Sequence, residues 1–272
     1  MVGSEPGIDV AASLYTAGFE AAGLETSCET LDIEADRLTA LVGRMRRTPG
    51  LVGAAITMPH TVPITTLLDE LAPEAQTTKA VNTISRRAGR VIGWNTNCSG
   101  FSQALVDAGY QPKGRTALVL GAGGSARACV DILRKTASRV WVTSPDLDEA
   151  RGLCRDLQVT AGGPTPIGSL ALVARKVDLI VNATPVGNDG EGQLLPVEWI
   201  SPAQFVFDLI YQPPVTPLVR GARERGARAV NGLSMLLFQA LAAFEIWTGQ
   251  AAPETAMRAA LERAVLGRLS AT

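Results

Sequence analysis

Histidine is nearly missing from this chain of 272 residues: His60 is the only one. That excludes a histidine-based metal cluster and argues against a metal site. Cysteine is also sparse. Cys28, Cys98, Cys129 and Cys154 stand far apart with no C-x-x-C pair, which speaks against a zinc site or a disulfide framework and for a reducing compartment. Net charge is only −1, so no field draws the chain to nucleic acid or to an anionic membrane. No apolar run approaches the roughly 18 residues of a spanning helix, no basic and then apolar leader opens the chain, and no tandem repeat or low-complexity segment interrupts it. What remains, 46% hydrophobic and 19% charged, is ordinary globular composition long enough for one or two cores. The expectation is a soluble, cytoplasmic α/β protein acting on a small molecule, without nucleic-acid or membrane partners.

What is present is organised around residues 116–126, TALVLGAGGSA. A short apolar run ends in Gly121, Ala122, Gly123, Gly124, Ser125 and Ala126, and a helical pattern follows over 127–135. A buried strand entering a glycine turn and then a helix N-terminus suits a pyrophosphate, because glycine lets the backbone approach and the helix start offers free N–H groups and positive partial charge. A tight βα turn with no ligand would look the same in isolation. Beyond it, βα alternation is regular: strands over 139–143, 178–182, 204–210 and 227–230, with helices over 146–156 and 217–226. This pattern predicts a doubly wound parallel sheet covered by helices.

Before it the reading is helix over 10–22, strand over 26–33, helix over 36–46, strand over 51–57, helix over 62–71, and strands over 80–84 and 91–95. Residues 97–100 mark a crossing, and a linking helix is expected over 100–108. Two helical runs, 233–247 and 253–266, exceed what the nucleotide domain needs and are expected to pack back on the first domain. The domains expected are therefore 1–98 with 233–272 and 99–232.

Several segments together resemble one family. Pro59-His60, Ala80-Val81-Asn82-Thr83, Gly93-x-Asn95-Thr96, Gly121-x-Gly123-Gly124-x-Ala126, Asn182-Ala183-Thr184-Pro185-x-Gly187, Asp208-x-x-Tyr211-x-Pro213 and Asn231-Gly232-x-x-Met235-Leu236-x-x-Gln239 occur in the order found in shikimate dehydrogenases. The resemblance implies an N-terminal substrate domain, a Rossmann domain and a C-terminal helical return. It further implies an active site in the cleft between the domains and hydride transfer between NAD or NADP and a ring ketone or alcohol. Members are monomers or homodimers. The cofactor residues it implies are Gly121 to Ala126, Thr143, Ser144, Asn182 to Pro185, Asp208 and Gly232; the substrate residues are Asp9, Ala11, Ala55, Asn82, Tyr211 and Gln239.

The departures are as informative. The family's proton-handling lysine aligns with Thr61 and its aspartate with Asn97. An amide does not titrate, and a threonine hydroxyl is far too weak an acid to relay protons near neutral pH, although both can hydrogen-bond a carbonyl. The serines that grip the substrate carboxylate align with Asp9 and Ala11, and the asparagine before Val-Thr aligns with Ala55. A carboxylate at Asp9 facing a substrate carboxylate about 4 Å away would cost on the order of 4 kcal/mol at an effective dielectric near 20. After the second Rossmann strand, Thr143-Ser144-Pro145-Asp146 replaces Asn-Arg-Thr, so the arginine that meets a 2′-phosphate is missing, which favours NAD. Lys79 is either a solvated strand-end lysine or a stand-in for the missing one, and His60 either fixes a turn or serves as an acid-base group. The reading is an oxidoreductase of this type on a substrate other than shikimate. The alternatives are a conventional NADP-linked shikimate dehydrogenase of aromatic amino-acid biosynthesis and a nucleotide-binding protein without activity.

Overall fold

The computed structural model describes residues 1–3 and 8–269. The chain divides into two compact units, Met1–Gly100 with Leu236–Thr272 and Phe101–Met235.

In the first unit, strands β1 (Gly53–Ala55), β2 (Glu70–Leu71), β3 (Thr83–Arg87) and β4 (Arg90–Trp94) form one sheet in the order β1-β3-β4-β2. The β1/β3 and β3/β4 pairs are antiparallel, and β2 runs parallel to β4. Helix α2 (Leu38–Arg47) buries Leu38, Val42 and Met45, the apolar side of a helical period, in a core with Ile56, Ile64, Val81 and Ile84. Arg46 at its end is paired. It donates twice to the carboxylate of Asp69 and once to the Leu67 carbonyl, and this pairing holds the Asp69 carboxyl below its ordinary range.

The C-terminal helices return as expected. Helix α10 (Glu254–Leu269) lies against α1 (Ile8–Ala21), with Met257 and Phe244 filling the space above Gly18. Phe244 of α9 (Leu233–Thr248) meets Phe19 at 5.6 Å between centroids, and Trp247 meets Tyr15 at 4.8 Å and donates to the Ile84 carbonyl at 2.9 Å.

The second unit carries a six-stranded, fully parallel sheet in the order β10-β9-β8-β5-β6-β7. The strands are β5 (Thr116–Leu120), β6 (Arg139–Thr143), β7 (Gly162–Pro164), β8 (Leu179–Asn182), β9 (Phe205–Asp208) and β10 (Arg228–Val230). β8 and β9 are buried at every position, as strands covered on both faces must be. Helices α5 (Gly124–Thr136), α6 (Leu147–Asp156) and α8 (Pro217–Glu224) follow β5, β6 and β9 and pack on the sheet. Thr216 caps α8 by accepting from the Val219 N–H at 3.2 Å, with Pro217 in the first turn. The chain runs from β5 outward to β7, then resumes at β8 on the other side of β5. The strand order therefore reverses between β5 and β8, and in such sheets ligands bind beyond the carboxyl ends of the strands at that point.

Two expectations need correction. Residues 26–33 form no strand: only Leu31 pairs, through a bridge to Val2, which also bridges Ile56. A neighbour that pairs at one residue cannot support a ladder. The helix expected over 62–71 is a 3-10 turn, Pro63–Leu67, because the Thr65 and Thr66 hydroxyls bond back to the Val62 and Pro63 carbonyls and compete with helix propagation. Three short elements carried too little signal to be expected: α3 (Pro73–Thr78), α7 (Leu170–Ala174) and β7, whose Gly-Gly-Pro sequence disfavours a strand and survives only at the sheet edge.

Candidate functional site

In the second unit a candidate site lies at the reversal between β5 and β8. Gly121 follows β5 with φ +109°, and a Cβ there would stand 2.8 Å from the Ala183 carbonyl oxygen. Only glycine fits that conformation and that approach. Its N–H donates to the Thr143 carbonyl at 2.7 Å, which locks the turn to the end of β6. Gly123 is the N-cap of α5 and has no side chain to cap with, so the first N–H groups of the helix face outward without an intrahelical partner. An added Cβ at Gly123 would meet nothing within 4 Å. This cradle suits the pyrophosphate of a dinucleotide by the same physics that makes any long helix N-terminus an anion site.

The Asn182–Pro185 segment closes the other side of the turn. The Asn182 side chain accepts from the Thr184 N–H at 3.0 Å and from the Thr184 hydroxyl at 2.8 Å, and donates to Asp208 at 2.9 Å. Asp208 also accepts from the Ile210 N–H and from the Thr216 hydroxyl at 2.6 Å. Neither Asn182 nor Asp208 has exposed surface. Both are expected cofactor residues, and their side-chain bonds shape the loop that presents Ala183, Thr184 and Pro185. At Gly232 a Cβ would lie 2.0 Å from the Leu209 carbonyl oxygen, so close backbone packing requires glycine there.

Burial pushes the Asp208 carboxyl up to about 6, against the three donors that favour its anion. Because the folded-state value is raised, the folded protein holds this proton more tightly than the unfolded chain. The contribution is complete below the ordinary carboxylate value and is lost as pH rises through about 6. A shift of this size corresponds to about 3 kcal/mol. Asp208→Asn keeps the shape and removes the titration. Urea unfolding at pH 4.5 and pH 7 is expected to show wild type losing more stability than the variant over that interval. Parallel profiles would contradict the assignment.

The first unit carries its own candidate site, a cluster of neutral polar groups. Asn82 stands just before β3. Its side-chain oxygen accepts from the Thr96 N–H at 2.7 Å, and Thr96 opens α4 (Thr96–Asp107). This cap from a distant strand explains why α4 starts four residues earlier than expected. With its oxygen committed, Asn82 Nδ2 donates to Gln239 Oε1 at 2.9 Å, to Asn97 Oδ1 at 3.1 Å and to Thr96 Oγ1 at 2.9 Å. Asn97 is further held by Asn95, whose side-chain oxygen accepts its backbone N–H at 3.2 Å. The Thr61 carbonyl accepts from the Val81 N–H at 2.8 Å, beside Asn82, and Thr61 is itself buried. Residues 61, 82, 97 and 239, from four separate segments, thus belong to one polar region, although nothing links the Thr61 hydroxyl to the amides directly.

The remaining expected residues are spread more widely. Ala55 is buried in β1 opposite Thr83, and Ala11 is buried in α1. Asp9 is exposed in the first turn of α1, where a carboxylate is favoured by the helix dipole. Tyr211 belongs to the second unit, partly exposed after β9. His60 Nε2 donates to the Ile33 carbonyl, 2.8 Å away, and its ring is buried, so it fixes the turn. Lys79 is exposed and ends α3 in the left-handed region at φ 51°. Two participants were missed. Thr96 was legible only as part of a motif, and Glu149 accepts from the Ser144 hydroxyl at 2.8 Å, a contact that no local pattern announces. Among the described residues no group of His, Cys, Asp and Glu could hold a metal, and no helix is long and apolar enough to cross a membrane.

Comparison with known proteins finds relatives along nearly the whole chain. Residues 8–84 match the shikimate dehydrogenase substrate binding domain, and residues 232–262 match the shikimate 5'-dehydrogenase C-terminal domain. A shikimate dehydrogenase (NADP(+)) from a Geobacter species is 40% identical over 257 residues, 91% of this chain and 88% of that one. The fold matches the shikimate 5-dehydrogenase of Thermus thermophilus, solved with NADP(H) and shikimate, with a TM-score of 0.85, 34% identity and coverage of 97% and 98%. It also matches a shikimate 5-dehydrogenase of Listeria monocytogenes solved with shikimate and NAD, with a TM-score of 0.83, 25% identity and coverage of 96% and 94%.

Proposed function

Since this chain belongs to the shikimate dehydrogenase family of oxidoreductases, we propose that it transfers hydride between a nicotinamide dinucleotide and a ring ketone or alcohol other than shikimate. The observation carrying the proposal is the neutral amide cluster where the family resemblance calls for a lysine and an aspartate. The dinucleotide, held by Gly121–Ala126 and the loop over 183–185, supplies the hydride chemistry. The residues of the chain bind and orient.

Asn82 turns the amide oxygens of Asn97 and Gln239 toward itself, which leaves their nitrogens as the donors offered to a ligand. Such donors polarise a carbonyl or hold a hydroxyl oxygen. They do not carry a proton, and general acid-base catalysis contributes typically about 10²–10⁴-fold. A substrate of the lysine–aspartate enzymes is therefore turned over poorly. With Ala11 and Ala55 offering no polar side-chain atom, the same site has little to hold a carboxylate with.

One observation favours a second reading: identity of 40% to a protein named for the NADP-linked shikimate reaction is what a conventional member would show. The two separate in one assay. Reduced NAD and NADP are incubated with the protein and a panel of cyclic ketones and diketones, and shikimate is offered with the oxidised forms. Turnover of a panel ketone with little or no shikimate oxidation is expected. Shikimate oxidation at a rate ordinary for an enzyme, about 10 s⁻¹, would return the chain to the conventional reading. Binding without any turnover would favour a nucleotide-binding protein.

A further inference from the structure

The end of β6 carries a carboxylate that the nucleotide cradle does not need for its own shape. Thr143 ends the strand, and its carbonyl is bonded to the Gly121 N–H, so this strand end and the glycine turn form one surface. The next residue, Ser144, is buried and donates its hydroxyl to Glu149 Oε2 at 2.8 Å. Glu149 itself is exposed, in the first turn of α6. The contact folds a carboxylate back onto the end of β6. In a doubly wound sheet whose glycine turn holds the pyrophosphate, that strand end is where the adenosine ribose lies, and an acidic side chain there accepts from its 2′-hydroxyl.

Two further observations point the same way. The Thr143 hydroxyl is buried at this strand end with no hydrogen-bond partner, which leaves a polar atom for a ligand to satisfy. Two arginines of α5 and α6 carry acid partners: Arg127, in the first turn of α5, is bonded to Asp156 at 3.1 Å in a largely buried pair, and the exposed Arg151 is paired with Asp148 at 2.9 Å. The other acid of this stretch, Asp146, uses its side chain to cap α6 through the Asp148 N–H.

We infer that Glu149, held at the end of β6 by Ser144, selects NAD over its 2′-phosphorylated counterpart. The inference rests on the dinucleotide reading of the cradle. The free carboxylate oxygen accepts from the ribose 2′-hydroxyl. A 2′-phosphate at the same place sets a doubly charged group against the carboxylate, and the Ser144 hydroxyl that would otherwise donate to it is already engaged.

Isothermal titration of the intact chain with NADH and NADPH tests this. Wild type is expected to bind NADH at least about tenfold more tightly. Glu149→Gln is expected to collapse that gap, chiefly by tightening NADPH and most at low salt, and Ser144→Ala to weaken NADH while the fold persists. Equal binding of the two nucleotides by wild type, or an unchanged ratio in Glu149→Gln, overturns the inference while leaving the cradle intact. Failure of wild type to bind either nucleotide overturns the cradle reading and this inference together.

Discussion

Gly123→Ala is expected to raise the dissociation constant for NADH at least about a hundredfold, roughly 2.7 kcal/mol, while the protein keeps its fold. The backbone at Gly123 is extended, with φ −71° and ψ −173°, a conformation open to alanine, and its added methyl group meets no neighbour. Alanine is a poor N-cap, but glycine is only a modest one, so helix stability changes by about 1 kcal/mol or less. What the methyl group does occupy is the space in front of the free N–H groups, where a phosphate must come. Gly121→Ala provides the contrast. There the φ of +109° and the Ala183 backbone 2.8 Å away force β5 and β8 apart, so binding and stability fall together. Titration calorimetry and a thermal melt on the two variants separate these outcomes. A Gly123→Ala protein that binds NADH like wild type removes the phosphate from the start of α5.

Asn82→Ala is expected to destabilise the first unit by about 3–4 kcal/mol and to cost most of the turnover that remains. Truncation leaves the Thr96 N–H without its acceptor and the Asn97 and Gln239 oxygens without their donor, all at buried or half-buried positions. Each unsatisfied group costs about 1–3 kcal/mol. For a protein of this size the loss lowers Tm by roughly 10 °C. Hydrogen exchange should place the loss at the start of α4 and in α9. The kinetic signature is a raised KM together with a lowered kcat, because the two amides lose the group that orients them. Gln239→Leu, which breaks one bond of the cluster, should give a smaller change in the same direction. An Asn82→Ala protein as stable as wild type would show that these contacts do not form a working network.

How far the sequence carried depends on how local each signal was. The parallel sheet was legible strand by strand, because β5, β6, β8 and β9 are compact apolar runs separated by helical periods and punctuated by Gly121, Pro217 and Gly226. Short elements over 70–78 and 162–174 were not legible, since two to six residues carry no period. The glycine turn was legible in place, with Gly121 following β5 and Gly123 capping α5. Asn182 and Asp208 were read as ligand contacts because a motif records which residue types recur, not whether they point to a ligand or into the protein.

The chain by itself determined the alternation of elements and the replacement of a charged pair by Thr61 and Asn97, since covalent identity cannot be altered by folding. Only the tertiary structure decided that Asn82 orients Asn97 and Gln239 across 157 residues of chain, and that Ser144 brings Glu149 to the end of β6. The reason is physical: apolar periodicity is written between neighbours in sequence, whereas the partner of a hydrogen bond is chosen by whichever segments the packed core brings within about 3 Å.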